Sequence, residues 1–257
     1  MELIKQTVRV GNSAGVLLPK KYLNSQVKIT LEPLNIEKDV IEILLENNIL
    51  RETLGAYITG SYARNEQTIE SDIDILVITS KTEKRLKKDN YDLLLVTKET
   101  LEKQLKNNIM PLLPMITKAK TIINNDLLED YKNTKLNKKN LKWHFEIGKS
   151  GLKVCMAQIK LEKDTNSIMA SDAIAYSLVL NLRSTYIVGQ LIKGKSWNNK
   201  ELTRIIKKVT GSILAYEGYQ RVKSNKNGSK QLPMMEAEKL HKYISKKFIE
   251  QENRYEK

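Results

Sequence analysis

The sequence predicts an α+β protein, in which a small mixed β-sheet with flanking helices precedes an all-α helical bundle and follows a short β-hairpin segment. Two observations lead to this prediction. Short apolar runs bounded by turn residues are confined to the first 125 residues, whereas apolar residues recur with helical spacing from about residue 126 onward. The length of 257 residues allows either one large domain or two to three small ones. We place the domain boundaries at 1–33, 34–125 and 126–257.

The charge balance favours a polyanionic partner, such as nucleic acid or the triphosphate of a nucleotide. The chain has 44 Lys and Arg residues against 30 Asp and Glu residues, which gives a net charge of +14. An excess of lysine is also typical of an AT-rich coding bias or of a thermophilic surface. Composition therefore leaves both interpretations open.

The content of cysteine, histidine and apolar runs excludes several classes of protein. Cys155 is the single cysteine and there are two histidines, too few ligands for a structural zinc site. A catalytic metal would have to be bound by carboxylates, which favours Mg²⁺ or Mn²⁺. No apolar run approaches the roughly 18 residues of a membrane span, and the N-terminus lacks the apolar core of a secretory signal. We expect a cytoplasmic protein without a membrane partner.

The first 33 residues are predicted to contain three short strands. The strand signals lie at residues 3–10, 16–18 and 26–31, and a turn-rich stretch at 11–15 separates the first two. So few residues cannot bury a core of their own. The segment is therefore expected to pack on the rest of the chain or on a second copy of itself.

The middle of the chain alternates between helical and strand patterns. A helical period from residue 36 to 48 gives way to apolar runs with strand character, and the charged connector 81–90 is predicted to be a solvated loop or helix. The predicted strands are 54–59, 73–79, 91–97 and 121–123, and a further helix is predicted at 100–108. Beyond residue 126 the predicted helices are 140–162, 168–194, 198–209, 211–226 and 233–253, with no further strand.

Two carboxylates begin the predicted strand at 73–79. Asp72 and Asp74 are two residues apart, so in a strand both side chains leave the same face. Two neighbouring carboxylates at the start of an otherwise apolar strand raise the free energy of the folded state unless a cation compensates their charge. A divalent metal ion is the natural compensator.

The residues around this pair add a phosphate site and a third acid. Gly60 and Ser61 end the preceding strand, where glycine permits close approach of a ligand and a following helix would offer free N–H groups to phosphate. Arg64 lies one helical turn further and could add a cation. Asp92 begins the next apolar strand, and if the two strands are neighbours, three carboxylates converge, enough for two Mg²⁺ ions.

This spacing resembles the nucleotidyltransferases of the DNA polymerase β superfamily, and in particular their minimal type. The family signature is Gly-Ser, ten residues and Asp-x-Asp, which Gly60-Ser61 and Asp72-x-Asp74 match, with Asp92 in the place of the third acid. The resemblance covers about residues 36–124. It implies a polymerase β-like core in which the aspartates bind metal and the nucleoside triphosphate, and the third acid helps to activate an acceptor hydroxyl. Asn65 stands where relatives usually have glycine, and asparagine tolerates the left-handed backbone of such a turn.

The resemblance implies an enzyme that moves a nucleoside monophosphate, AMP from ATP, to a hydroxyl of a protein or a small alcohol and releases pyrophosphate. The helical C-terminal half resembles, more loosely, the bundles that follow the catalytic domain in kanamycin nucleotidyltransferase-like enzymes, where they shape the acceptor pocket. Polar and aromatic residues of one predicted helix either face such a pocket or serve packing and solvation; they are Tyr216, Glu217, Tyr219, Arg221 and Lys223.

The N-terminal segment resembles the swapped-hairpin domain of AbrB-like transition-state regulators and related antitoxins. The resemblance lies in residues 10–20 and implies a homodimer, with Lys5 and Arg9 as the matching DNA-binding candidates. It also suggests a toxin–antitoxin or regulatory setting. The alternative to the enzyme is therefore a non-catalytic DNA-binding regulator or antitoxin that uses the nucleotidyltransferase fold to sense nucleotide.

Overall fold

A computed structural model describes residues 5, 7–11, 13–29, 34–68, 71–225 and 232–256. The chain divides into two compact units, Met1–Asp39 and Val40–Lys257. No helix in these ranges is both long and apolar enough to cross a lipid bilayer.

The N-terminal unit contains a short antiparallel hairpin of strands β1 (Val8–Val10) and β2 (Ser13–Gly15). Gly11 forms its turn at a φ of 60°, a conformation that glycine adopts readily. The predicted strands at 16–18 and 26–31 are wrong over residues 16–18 and 26–29, while residues 30 and 31 lie outside the described part. Among the described residues of this unit, only β1 and β2 pair with each other, and apolar composition alone does not make a β-ladder.

A five-stranded mixed sheet forms the centre of the second unit. Its strands are β3 (Thr53–Ile58), β4 (Ile73–Thr79), β5 (Lys84–Lys88), β6 (Tyr91–Thr97) and β7 (Lys120–Ile123). The strand order is β5-β6-β4-β3-β7, with β4 and β6 parallel and the other pairs antiparallel. This mixed sheet confirms the predicted fold class.

The strand β5 corrects the prediction of a loop or helix at 81–90. Four of its five residues are Lys or Arg, a composition that does not resemble a strand by apolar pattern. It forms the edge of the sheet and its four basic residues are exposed, a position where charged side chains are favoured because they discourage pairing with other chains.

Five helices accompany the sheet. They are α1 (Ile36–Glu46), α2 (Gly60–Ala63), α3 (Lys98–Asn107), α4 (Leu112–Thr117) and α5 (Asn125–Lys132). The predicted helices at 36–48 and 100–108 correspond to α1 and α3. Thr97 begins α3 as its N-cap, because the Thr97 hydroxyl accepts a hydrogen bond from the Thr100 backbone N–H at 3.2 Å. The helices α4 and α5 are too short for a helical period to predict them.

The remainder is helical, as predicted, with one exception. The helices are α6 (Lys138–Asp164), α7 (Asp172–Ile192), α8 (Asn199–Thr210), α9 (Leu214–Lys223) and α10 (Met234–Glu256). The prediction of no strand beyond residue 126 is wrong, because β8 (Met169–Ala170) pairs with β9 (Leu232–Pro233). Strands of two residues leave no alternation in a sequence.

The sheet and the C-terminal helices share one hydrophobic core. It runs from Tyr57 and Leu76 on the sheet to Phe145 on α6 and Phe248 on α10. The Tyr57 ring is fully buried, and this burial raises its pKa to about 12. The sheet and the C-terminal helices are therefore packed together through one continuous core.

Candidate active site

The structure brings the predicted carboxylates together. The strands β4 and β6 are parallel neighbours, and their register places Asp74 directly opposite Asp92. Directly opposed residues of paired strands point to the same face of the sheet. Asp72 immediately precedes β4, and its charge acts on Asp74. The two strands that the sequence required to be neighbours are therefore neighbours, and Asp74 and Asp92 lie side by side; a three-carboxylate metal site stays a prediction.

Gly60 lies directly against one of these carboxylates. Its φ is 62°, and a Cβ atom at this position would lie 1.9 Å from Oδ2 and 2.7 Å from Cγ of Asp74. The preceding residue is tied to the same aspartate, since the Thr59 backbone N–H donates to the Asp74 carbonyl at 2.7 Å. The Gly60-Ser61 turn is thus fixed to the acidic strand, and any larger residue at position 60 would have to displace the Asp74 carboxylate. The helix α2 that follows is a single turn of four residues.

The environments of the two opposed carboxylates differ. Burial raises the pKa of Asp74, and the negative charges of Asp92 and Asp72 raise it further, while Arg64 and Lys223 act in the opposite direction. By contrast, the hydrogen bonds from Arg85 hold the pKa of Asp92 below its usual range. The site therefore contains one carboxylate whose charge lacks compensation and one that is fully paired.

Two cations of the edge strand β5 bind Asp92. Nε and Nη2 of Arg85 donate to its two carboxylate oxygens, each at 2.6 Å, and Nζ of Lys87 lies 3.4 Å from Oδ2. Asp92 is 8% exposed, whereas Arg85 and Lys87 are 65% and 67% exposed. Neither residue is predicted from the sequence, because the basic stretch at 84–88 is typical of a solvated connector.

Arg64, predicted to bind phosphate, is held in place by a neighbour. Its Nε donates to Oε2 of Glu66 at 2.9 Å. Glu66 also accepts from the Asn199 backbone N–H at 2.8 Å and from its side-chain amide at 3.1 Å. Glu66 thereby joins the segment that follows the Gly60-Ser61 turn to the start of α8. No local sequence pattern predicts this link, because the two residues are far apart in the chain. Asn65 adopts a φ of 55°, in agreement with the expected left-handed turn.

The helix α9 contributes one residue to the site and uses others for packing. Lys223, at its end, acts electrostatically on Asp74. Tyr219 stacks on Tyr176 with 5.4 Å between ring centres. Nε and Nη2 of Arg221 donate to Asp172 at 2.8 Å each, an ion pair between α9 and the start of α7. Both interpretations offered for this helix thus apply, each to different residues.

The donor set suits a hard divalent cation, since it consists of carboxylate oxygens of which one, on Asp74, carries a poorly compensated charge. Asp72, Asp74 and Asp92 would be the ligands. Within the described ranges no three acidic, histidine or cysteine side chains already form a metal-binding group. Asp92, the third of these carboxylates, is instead contacted by Arg85 and Lys87.

The structure does not test the DNA-binding candidates of the N-terminal unit. Lys5 is exposed, and the side chain of Arg9 lies outside the described part of the chain. The likeness of this segment to AbrB-like domains stays a prediction.

Comparison with known proteins identifies the family of the central region. Residues 37–155 match the sequence profile described as the nucleotidyltransferase domain. No curated protein matches the chain in sequence. Among solved structures, a nucleotidyltransferase-like protein from Exiguobacterium sibiricum 255-15 is similar at 16% identity and a TM-score of 0.34, over 86% of this chain and 78% of that one.

A second solved structure is spectinomycin adenyltransferase AAD(9) from Enterococcus faecialis, determined with ATP and spectinomycin. Its identity is 14% and its TM-score 0.40, over 83% of this chain and 98% of that one. Neither structural likeness is strong enough to bear on the activity of this chain, whereas the sequence match spans the Gly-Ser turn and all three aspartates. By sequence, residues 37–155 therefore match a nucleotidyltransferase domain.

Proposed function

We propose that this chain is a Mg²⁺-dependent nucleotidyltransferase that moves AMP from ATP to a hydroxyl group of a partner protein or a small alcohol, with release of pyrophosphate. The observation that carries the proposal is the pairing of Asp74 with Asp92 on adjacent parallel strands, with Gly60 wedged against Asp74. Both features lie inside the matched nucleotidyltransferase domain.

Each predicted site residue has a role in this proposal. Asp72, Asp74 and Asp92 hold the metal, which when bound neutralises the polyphosphate and polarises the phosphorus under attack. The Gly60-Ser61 turn lets the polyphosphate approach the backbone closely. Arg64 adds positive charge, and Glu66 uses only one of the five N–H donors of its guanidinium.

The transfer itself is a displacement at the α-phosphorus. The acceptor oxygen forms a bond to this phosphorus, the bond to the oxygen that bridges to the β-phosphorus breaks, and pyrophosphate leaves. Asp92 takes the proton that the acceptor hydroxyl loses. Both oxygens of Asp92 are engaged by Arg85, so this role requires Arg85 to withdraw first.

The first test measures nucleotide binding, because it does not require the acceptor to be known. Isothermal titration with Mg²⁺ and α,β-methylene-ATP compares the wild type with Asp72→Asn and Asp74→Asn, and with Asp164→Asn, an exposed acid at the end of α6, as the control. We expect both site variants to lose Mg²⁺-dependent binding while they remain folded by circular dichroism. Unchanged binding in either site variant would refute its metal-binding role.

The second test identifies the acceptor. The protein is incubated with ATP, Mg²⁺ and, in turn, each protein encoded by neighbouring genes or a panel of small alcohols, and the products are analysed by mass spectrometry. A mass increase of one nucleotide unit that Asp74→Asn abolishes would establish donor and acceptor together. A partner protein that gains this mass would place the chain in a toxin–antitoxin or regulatory setting. If the wild type modifies no acceptor yet shifts duplex DNA in a gel, the alternative of a DNA-binding regulator applies instead.

A further inference from the structure

The edge strand β5 brings two basic residues to the acidic site and directs the others away from it. Lys87 pairs with Asp92 in the register of β5 and β6, and Arg85, two residues earlier, therefore lies on the same face. Lys84 and Lys88 alternate with them and lie on the opposite face, where Lys88 forms an ion pair with Glu46 of α1. The strand thus presents Arg85 and Lys87 specifically to the carboxylates.

Arg85 makes the strongest contact of the two. Its guanidinium engages both oxygens of Asp92 with two parallel hydrogen bonds, the two-point geometry in which arginine binds carboxylates and phosphates most tightly. The negative charges of Asp74 and Asp72 also act on Arg85. Arg85 therefore occupies both oxygens of a proposed metal ligand, Asp92, on the side of the sheet to which Asp74 also points.

The two ends of this ion pair differ in their freedom to move. Asp92 is buried in a central strand, whereas about two thirds of Arg85 is exposed on the sheet edge. A pair of this kind separates by motion of the arginine, because its exposed side chain has room to rotate into solvent. The withdrawal leaves the buried Asp92 without its main partner, a cost that an incoming cation must offset. The Arg85 guanidinium can leave Asp92 without any change in the strands.

We infer that Arg85 is an exchangeable counter-ion: it neutralises Asp92 in the nucleotide-free protein and moves onto the polyphosphate when the metal–nucleotide complex takes its place. This inference rests on the proposed function and deepens it, because it assigns a phosphate-binding residue outside the nucleotidyltransferase signature. Phosphate is a suitable second partner, since it accepts the same two-point hydrogen bonds as a carboxylate. The exchange also frees Asp92 for the acceptor proton only after the nucleotide has bound.

The inference makes two opposite predictions for one variant. Arg85→Met removes the competing cation, so the nucleotide-free protein should bind Mn²⁺ about tenfold more tightly, as the loss of one charged hydrogen-bond partner implies. The same variant lacks the phosphate ligand, so its affinity for α,β-methylene-ATP at saturating Mg²⁺ should fall by about tenfold. A residue with a purely structural role would weaken both.

Two further variants separate this exchange from a general effect of charge. Lys84→Met removes the same charge from the opposite face of the same strand, and both affinities should stay within about twofold of the wild type. Arg85→Lys keeps the charge but cannot hold two oxygens at once, so both affinities should fall between those of the wild type and Arg85→Met. Electron paramagnetic resonance of free Mn²⁺ gives the metal affinity, and isothermal titration gives the nucleotide affinity.

The outcomes separate this inference from the proposed function. If Arg85→Met binds Mn²⁺ no better than the wild type, or binds the nucleotide equally well, Arg85 is not exchangeable and the inference is wrong. Equal gains in Mn²⁺ affinity for Lys84→Met and Arg85→Met would also overturn it. If instead the wild type binds neither Mn²⁺ nor the nucleotide, or if Asp74→Asn binds both normally, the proposed function itself is wrong and the inference is wrong with it.

Discussion

Replacing Gly60 with alanine tests the geometry of the site, because two separate costs can be worked from the structure. The first is conformational: at a φ of 62° an L-residue costs roughly 1–2 kcal/mol relative to glycine. The second is steric, since the new Cβ would lie 1.9 Å from Oδ2, 2.7 Å from Cγ and 3.0 Å from Cβ of Asp74. The carboxylate must therefore move by more than an ångström, while the strand that carries it stays paired.

These two costs affect different properties. The half-buried Asp74 side chain can swing away, so the free energy of unfolding should fall only by the conformational cost, about 1–2 kcal/mol. The displaced carboxylate is a proposed metal ligand, and a misplacement of about 1 Å in a catalytic group can cost around 100-fold in rate. We expect nucleotide transfer to fall about 100-fold in a protein that remains folded.

Gly194 provides the matched control. It follows the end of α7 with a φ of 63°, and no atom lies within 4 Å of the position where its Cβ would be. Gly194→Ala should therefore lose the same stability in urea denaturation as Gly60→Ala and keep full transfer activity. Equal activity in the two variants would refute the close contact between Gly60 and Asp74, and a much larger loss of stability in Gly60→Ala would show that Asp74 cannot move.

Two further predictions concern buried polar groups. Burial lowers the pKa of His144 to about 4, below its usual 6.5, so the unfolded chain binds the proton more readily than the folded one. The free energy of unfolding should therefore fall by about 3 kcal/mol as the pH drops from 6.5 to 4. Urea denaturation of His144→Gln should lack this contribution, and a pH dependence equal to that of the wild type would contradict the argument. Both oxygens of Glu66 accept hydrogen bonds, from Arg64 and Asn199. In Glu66→Gln one of these oxygens becomes an NH₂ group, which is itself a donor and cannot accept the hydrogen bond. The free energy of unfolding should therefore fall by about 1–3 kcal/mol, and a loss no larger than that of exposed Glu129→Gln would refute the link to α8.

The strands of the sheet centre could be predicted from the sequence because burial on both faces demands apolar residues. Residues 73–79 and 91–97 are almost wholly apolar, and β4 and β6 have these bounds. The edge strand β5 follows no such rule, since its side chains face solvent and its partner supplies the hydrogen bonds. Its existence depends on β6 being next to it, which is information that residues 81–90 do not contain.

In the candidate site, too, the features that depend on local sequence could be predicted and those that depend on tertiary contacts could not. The spacing of Gly60, Asp72 and Asp74 is local, so a short motif records it, and the strand that carries Asp92 follows soon after. The partners of these residues come from elsewhere in the fold: Arg85 reaches Asp92 across the sheet, and Asn199 reaches Glu66 from a distant helix. Pairing of this kind arises from tertiary structure, so the sequence predicts which acids form the site but not which residues control their charge.

The charges around the site imply that metal and nucleotide bind together. Arg85 and Lys87 compensate the charge of Asp92, whereas the charges of Asp72 and Asp92 act unfavourably on Asp74 and only Arg64 and Lys223 oppose them. A free nucleotide would add several negative charges beside three carboxylates, and a free metal ion would compete with Arg85, so each alone meets an electrostatic cost. When the metal ion and the nucleotide bind together, their opposite charges cancel most of this electrostatic cost. Each therefore raises the affinity of the protein for the other, and by the same factor. Under the proposed exchange of Arg85, the positive charge of β5 keeps Asp92 paired until a polyanion with its own cation displaces the arginine.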